Sequence, residues 1–236
     1  MAIGKHMIVG KPEALKYPPT FRRMAINSQA AAFQKLAGGK LNDRPLFKNR
    51  DIFIDLPQRP ETKAQQDNWF VIPKWRAVAE TLPKAIAFMA RALEVESKSF
   101  LEGYSLDKLE QSERTREALE VFSENQEGDF WVISAQLGFF YRGESPASSL
   151  EKMPAVEFGF DLYLALAALV SHRGRLIGGD ELGINCVGNE SLSEYGSPKV
   201  PCLSSSLGKM RCLMNRVSEP NPRYGSATGA MFIRAF

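Results

Sequence analysis

Thirteen consecutive residues, Phe158 to Val170, carry a single charge, at Asp161, and form the longest apolar stretch of the chain. Crossing ~30 Å of hydrocarbon takes about 20 apolar residues. A run this short, with a carboxylate inside it, predicts a core helix over roughly residues 156–171 instead. Asp161 then sets a condition, because a fully buried carboxylate must be paired or protonated. Close to the helix start it can accept bonds from first-turn N–H groups. If buried, its partner would be an arginine such as Arg142 or Arg175, tying the helix to an adjoining turn.

The rest of the chain has to supply the walls around that helix. Pro12, Pro18 and Pro19 preclude a long helix in residues 1–25, which predicts an extended arm. Asn27 or Ser28 can cap a short helix over 29–36, and Gly38-Gly39 would end it. Ile52–Ile54 and Trp69–Ile72 are short strand candidates on either side of a polar loop, 58–68. From Pro83, the spacing of Ile86, Met89 and Leu93 predicts a helix. A second helix is expected to start near Ser105 and run through Leu106, Leu109, Leu119 and Phe122, with an acidic outer face. Phe130 to Tyr141 reads as a buried strand and Arg142 to Pro146 as a turn. Three further strands are expected around Ile184–Cys186, Met210–Met214 and Met231–Ile233, where apolar and polar residues alternate. Strands and helices fall in separate blocks, which argues for an α+β fold with an antiparallel meander at its end and against βαβ units. The expected organisation is an arm, 1–25, and one domain, 26–236.

Charge is the informative part of the composition. The chain's net charge is +3, yet residues 1–50 hold ten bases and two acids, a net +8. Residues 101–200 hold eight bases and seventeen acids, a net −9, and residues 201–236 return to +4. One reading makes Lys11, Lys16, Arg22, Arg23, Lys40, Arg44, Lys48 and Arg50 a surface that neutralises phosphates, with Tyr17, Phe21, Phe33 and Phe47 stacking on unpaired bases. In the other, the basic segment meets the acidic middle, in the same chain or in a neighbouring copy. The sequence pI of about 8.7 falls below the value of about 9 that marks many nucleic-acid binders.

Motifs for chemistry are sparse. No P-loop or dinucleotide fingerprint occurs, and Gly178-Gly179-Asp180-Glu181 follows a helix where a phosphate cradle would have to precede one. Two histidines and three widely spaced cysteines suit neither a zinc site nor a disulfide framework, so no cofactor or metal is expected. Asp180, Glu181 and Glu190 could converge on a divalent cation, though solvated turn carboxylates explain them as well. Cys186 with His172 is the nearest approach to a nucleophile and base, near the Gly178–Glu181 turn. A cysteine beside apolar residues and an imidazole at a helix C-terminus also have structural explanations.

These residues lead to a non-enzymatic binding or assembly protein, a subunit of a nucleoprotein complex among the forms it could take. It would act through Lys11, Lys16, Tyr17, Arg22, Arg23, Lys40, Arg44, Lys48 and Arg50. Its partner would be a protein or a second copy. Direct nucleic-acid binding is the first alternative and an enzyme near Cys186 and His172 the second. The lack of a signal-like N-terminal run and the odd cysteine count favour a soluble, cytoplasmic protein away from membranes.

Overall fold

The computed structural model describes residues 24–43, 68–176, 181–190, 192 and 196–231. Among these residues are six α-helices, here α1 (Ile26–Leu36), α2 (Trp75–Val78), α3 (Leu82–Ala92), α4 (Glu113–Asn125), α5 (Pro146–Lys152) and α6 (Leu162–Ser171). Seven strands accompany them, β1 (Asn68–Pro73), β2 (Phe130–Leu137), β3 (Glu157–Gly159), β4 (Gly183–Asn185), β5 (Lys199–Ser206), β6 (Lys209–Arg216) and β7 (Tyr224–Ala230). The expected α+β class is the observed one. The 1–23 arm, the Ile52–Ile54 strand, most of the 58–68 loop, Gly178–Asp180 and Ile233 lie outside the described residues.

All strands join one sheet in the order β1-β2-β7-β4-β5-β6, with β3 also on β7. β7 is the centre. One of its edges carries β2, antiparallel. The other carries β3, antiparallel, beside Thr228–Ala230 and then β4, parallel, beside Tyr224–Ser226. β4, β5 and β6 continue as an antiparallel run, as the alternation around Met210–Met214 predicts. The closing strand does not extend that run at its outer edge. It crosses back to the middle of the sheet, and it covers Tyr224–Ala230, so Met231 lies just past its end. β7 was illegible because, after Tyr224, it is built of Gly, Ser, Ala and Thr and shows no apolar alternation.

Small residues are needed there because rings lie across the strand. A Cβ on Gly229 would come within 2.6 Å of the Phe158 ring and 2.9 Å of the Phe160 ring. Those two rings, with Phe122 at 5.9 Å from Phe158, begin the apolar face of the sheet. Register puts Ile133, Ala135, Ala227, Ile184, Leu203 and Cys212 on the same face. α6 forms the core against it, and all ten of its residues are buried. α3 and α1 pack on α6 and α4 packs on β3. The apolar run therefore does what its composition requires, being surrounded on every side.

Two helix starts differ from expectation. α1 begins at Ile26 with Asn27 and Ser28 already in its first turn and no side-chain cap. It ends as foreseen at Gly38 and Gly39, both left-handed at φ +64° and +75°, with Gly39 N–H returning to the Gln34 carbonyl at 2.8 Å. Ser105 caps only one 3-10 turn, Leu106–Lys108. α4 starts at Glu113, with Ser112 as its cap. The helix is interrupted because the backbone at 110–112 is used elsewhere. Glu190 N–H bonds the Glu110 carbonyl at 3.0 Å, and Ser112 N–H bonds the Gly188 carbonyl at 2.7 Å.

Both outer edges of the sheet are partly covered. Gln29 of α1 lies along β1, accepting from Val71 N–H at 2.9 Å and donating to the Trp69 carbonyl at 2.8 Å. Its amide thus stands in for one rung of a neighbouring strand. At the far edge, Glu96 N–H bonds the Met210 carbonyl of β6 at 2.9 Å.

Candidate functional site

Of the nine residues singled out from sequence, Lys40 lies among the described residues. It is exposed in the loop after α1. Lys11, Lys16, Tyr17, Arg22, Arg23, Arg44, Lys48 and Arg50 lie outside them. Phe33 is settled differently. It is 1% exposed and packs on Phe130 with ring centroids 6.4 Å apart, so it is a core residue and no stacking platform for bases.

The acidic outer face expected on the second helix is present on α4. On α4, Thr115, Ala118, Leu119 and Phe122 face inward, and Glu113, Glu117, Glu120 and Glu124 face out, with Glu127 exposed just beyond. Among the described residues, Asn42 is held to Asp129, four residues past the end of α4. Asn42 N–H donates to the Asp129 carboxylate at 2.6 Å, and Asp129 N–H donates to the Asn42 carbonyl at 3.1 Å. This two-way clamp stands two residues before Arg44.

Cys186 and His172 are not brought together. Cys186 faces Asp161, at the start of α6, whereas His172 caps the far end of that helix. Ten helical residues at 1.5 Å each separate the two ends by about 15 Å. Burial pushes the Cys186 thiol well above its ordinary range, and it depresses the His172 imidazole below its ordinary value, partly offset by its bond to the Ala168 carbonyl. A thiol that stays protonated is no nucleophile. The three cysteines do not form a set either. Cys186 and Cys212 belong to the apolar face, whereas Cys202 pairs with Leu213 on the opposite one. Burial also raises Cys202 and takes Cys212 up to about 12. Native protein near pH 7.5 is therefore expected to react with a thiol reagent no faster than it opens. One cysteine labelling within seconds, with the fold intact by circular dichroism, would refute this.

What the structure does assemble is a buried polar seam on the second face of the sheet. Gln136 of β2 and Thr228 of β7 stand directly opposite each other, and Nε2 of Gln136 donates to Thr228 Oγ1 at 3.0 Å and to the Ser226 carbonyl at 2.7 Å. Thr228 donates to the Glu157 carboxylate at 3.2 Å, and the Tyr141 phenol donates to the same oxygen at 3.1 Å. Glu157, Gln136 and Thr228 are all at 0% exposure. Burial first, and then the Glu157 charge, hold the Tyr141 phenol far above its ordinary value, so it remains a donor. Arg114 of α4 lies close enough for its charge to act on both. The seam can hold a carboxylate in place with hydroxyl donors, and it links β2, β3 and β7 into one register. It was missed from sequence, although the alternation of Ser134 and Gln136 with Ile133, Ala135 and Leu137 is a signal that could have pointed to the β2 half. Glu157 gives no such signal, because it stands at the edge of the apolar run and reads as a surface acid.

No family model matches the chain, and neither a curated protein nor a solved structure matches it. Among the described residues, no group of three or more His, Cys, Asp or Glu side chains could hold a metal ion, and no helix is long and apolar enough to cross a membrane.

Proposed function

We propose that this chain is a binding or assembly protein whose basic N-terminal residues engage an acidic surface. The observation that carries the reading is the Asn42–Asp129 clamp, which holds Asn42, two residues before Arg44 in the sequence, to an acid four residues past the end of α4. Opposite charges in one chain pair within a copy or between copies, and between copies they produce association that salt weakens. A subunit of a nucleoprotein complex would use the same charges on phosphate. The buried, unpaired thiols suit a reducing, cytoplasmic setting.

The test is mass by light scattering at low and high salt, alongside filter binding of single-stranded and duplex nucleic acid. Association at low salt that disappears at high salt, and in Glu117→Lys/Glu120→Lys/Glu124→Lys, is the expected result for copy-to-copy contact. Association that survives the α4 substitutions but falls with Arg22→Ala/Arg23→Ala would place the acidic partner elsewhere. Salt-sensitive nucleic-acid binding, weakened equally across sequences by the arginine pair, would favour phosphate as the partner. A monodisperse monomer that binds neither would end the proposal.

A further inference from the structure

β6 ends the strand order of the sheet, and the segment 94–103, which follows α3, lies along its outer edge as a strap. Glu96 N–H bonds the Met210 carbonyl at 2.9 Å. Backbone groups alternate in direction along an antiparallel strand, so Met210, Cys212 and Met214 turn theirs outward while the residues between them face β5. Leu101 sits at 0% exposure in the core that holds those same three side chains, and its N–H donates to the Cys212 sulfur. Two ion pairs flank this seat. The Glu96 carboxylate meets Arg211 Nε at 3.1 Å, and that of Glu102 meets Lys199 Nζ at 3.7 Å.

The strap holds its place against its own backbone. Among the described residues, three of the four non-glycine residues with positive φ fall in this one segment: Glu94 at +55°, Leu101 at +54° and Glu102 at +51°. Glu94 closes α3 where glycine is the usual residue, with Val95 N–H returning to the Ala90 carbonyl at 3.0 Å. Leucine and glutamate adopt the left-handed region only where their surroundings impose it. Here the seating of Leu101 and the two ion pairs impose it. Charge indicates what the strap stands in for. The hairpin from Lys199 to Arg216 holds four bases, Lys199, Lys209, Arg211 and Arg216, and no acid, whereas the strap holds three glutamates to one lysine.

We propose that the 94–103 strap is an autoinhibitory cover and that the outer edge of β6 is a docking site for an extended acidic peptide of a partner protein, which displaces the strap and pairs with the strand. Such a peptide takes the outward backbone groups of Met210, Cys212 and Met214, seats an apolar side chain where Leu101 lies, and sets carboxylates beside Arg211 and Lys199. Two copies of β6 are poor partners for each other, because antiparallel pairing brings the like charges of Lys209 and Arg216 together. The site is separate from the N-terminal basic residues, so either reading can fail without the other.

The probe is a labelled synthetic peptide of residues 93–104, the strap supplied in trans, with a scrambled peptide of the same composition as control. Fluorescence anisotropy is measured on the full chain. Wild type should bind weakly, because its own strap competes at high local concentration. Leu101→Ala unseats the strap and should bind about tenfold more tightly or better. Glu96→Ala/Glu102→Ala removes only the ion pairs and should gain about twofold or more, which keeps the test open should Leu101→Ala fail to fold. Adding Arg211→Glu to either variant should weaken binding about fivefold or more. Equal binding by wild type and the strap variants, no binding by any of them, or equal binding of the scrambled peptide overturns the proposal. Hydrogen exchange on wild type needs no variant. The Glu96 and Tyr104 amides should exchange about tenfold faster or more than the β5–β6 ladder, since the strap opens while the sheet stays closed. Exchange of strap and ladder in one common step would overturn the proposal as well.

Discussion

Alanine at Gly225 is expected to destabilise the fold by about 4 kcal/mol or more, a large part of the roughly 5–15 kcal/mol that a domain commonly has. Gly225 lies in the central strand, where the chain leaving β2 crosses it. A methyl there would overlap the Gly138 carbonyl oxygen, with the carbonyl carbon only 2.7 Å away and the Arg142 Cα at 3.1 Å. These obstacles are backbone, so no side chain can swing aside to admit the methyl. Gly138 has no slack either, since it sits at φ +96° and a Cβ on it would meet the Gly225 oxygen at 2.7 Å. Gly39→Ala is the control. That glycine is also left-handed, at φ +75°, but no atom lies within 4 Å of an added Cβ, so only the backbone preference of about 1 kcal/mol is lost. Urea midpoints for the two variants should differ widely. Equal, small losses would show that the β2–β7 crossing is looser than described.

The second large effect is expected at Phe158. Truncation to alanine should cost about 3–5 kcal/mol, the range for removing a fully buried ring. The reason is specific to the sheet centre. The rings of Phe158 and Phe160 fill space over Gly229 that a side chain would otherwise occupy. This makes a pairwise prediction. Gly229→Ala alone should cost about 1–3 kcal/mol, because a packed ring must move. In a Phe158→Leu background the same substitution should cost less, by about 0.5 kcal/mol or more, since the smaller side chain makes room. A double-mutant cycle by denaturant unfolding checks it. Strict additivity would mean that the ring and the glycine are not in contact.

Most of the fold could be read in advance where burial leaves a period in the sequence. α3 and β6 show one and formed as the pattern requires, whereas α6 and β2 were read as continuous apolar runs, and β2 ends at Leu137, short of the expected Tyr141. The misreadings came from long-range uses of short polar segments. Ser105 and Ser112 are both good caps, and local sequence does not reveal that residues 110–112 are needed by Gly188 and Glu190. β7 could not be seen because its small residues answer to rings and backbone brought from other strands. Asp161 illustrates both sides. Its role as a cap follows from its place before an apolar run, whereas its neutral partner, Gln111, lies fifty residues away and looked like part of a helix. For the candidate site, the acidic face of α4 was legible from composition, and the seam around Glu157 required the register of three strands.

The place of β7 in the chain has a consequence for synthesis. The strand at the middle of the sheet is the last of the described strands to leave the ribosome. Until residues 224–230 emerge, the facing edges of β2 and β4 have nothing between them, although both were made earlier. The helices and the β5–β6 hairpin can form as they appear. The sheet itself closes in a late step that brings together residues about ninety positions apart, such as Gln136 and Thr228. A nascent chain halted before residue 224 should accordingly be far more sensitive to protease than one carried past 231 with its C-terminal residues clear of the exit tunnel.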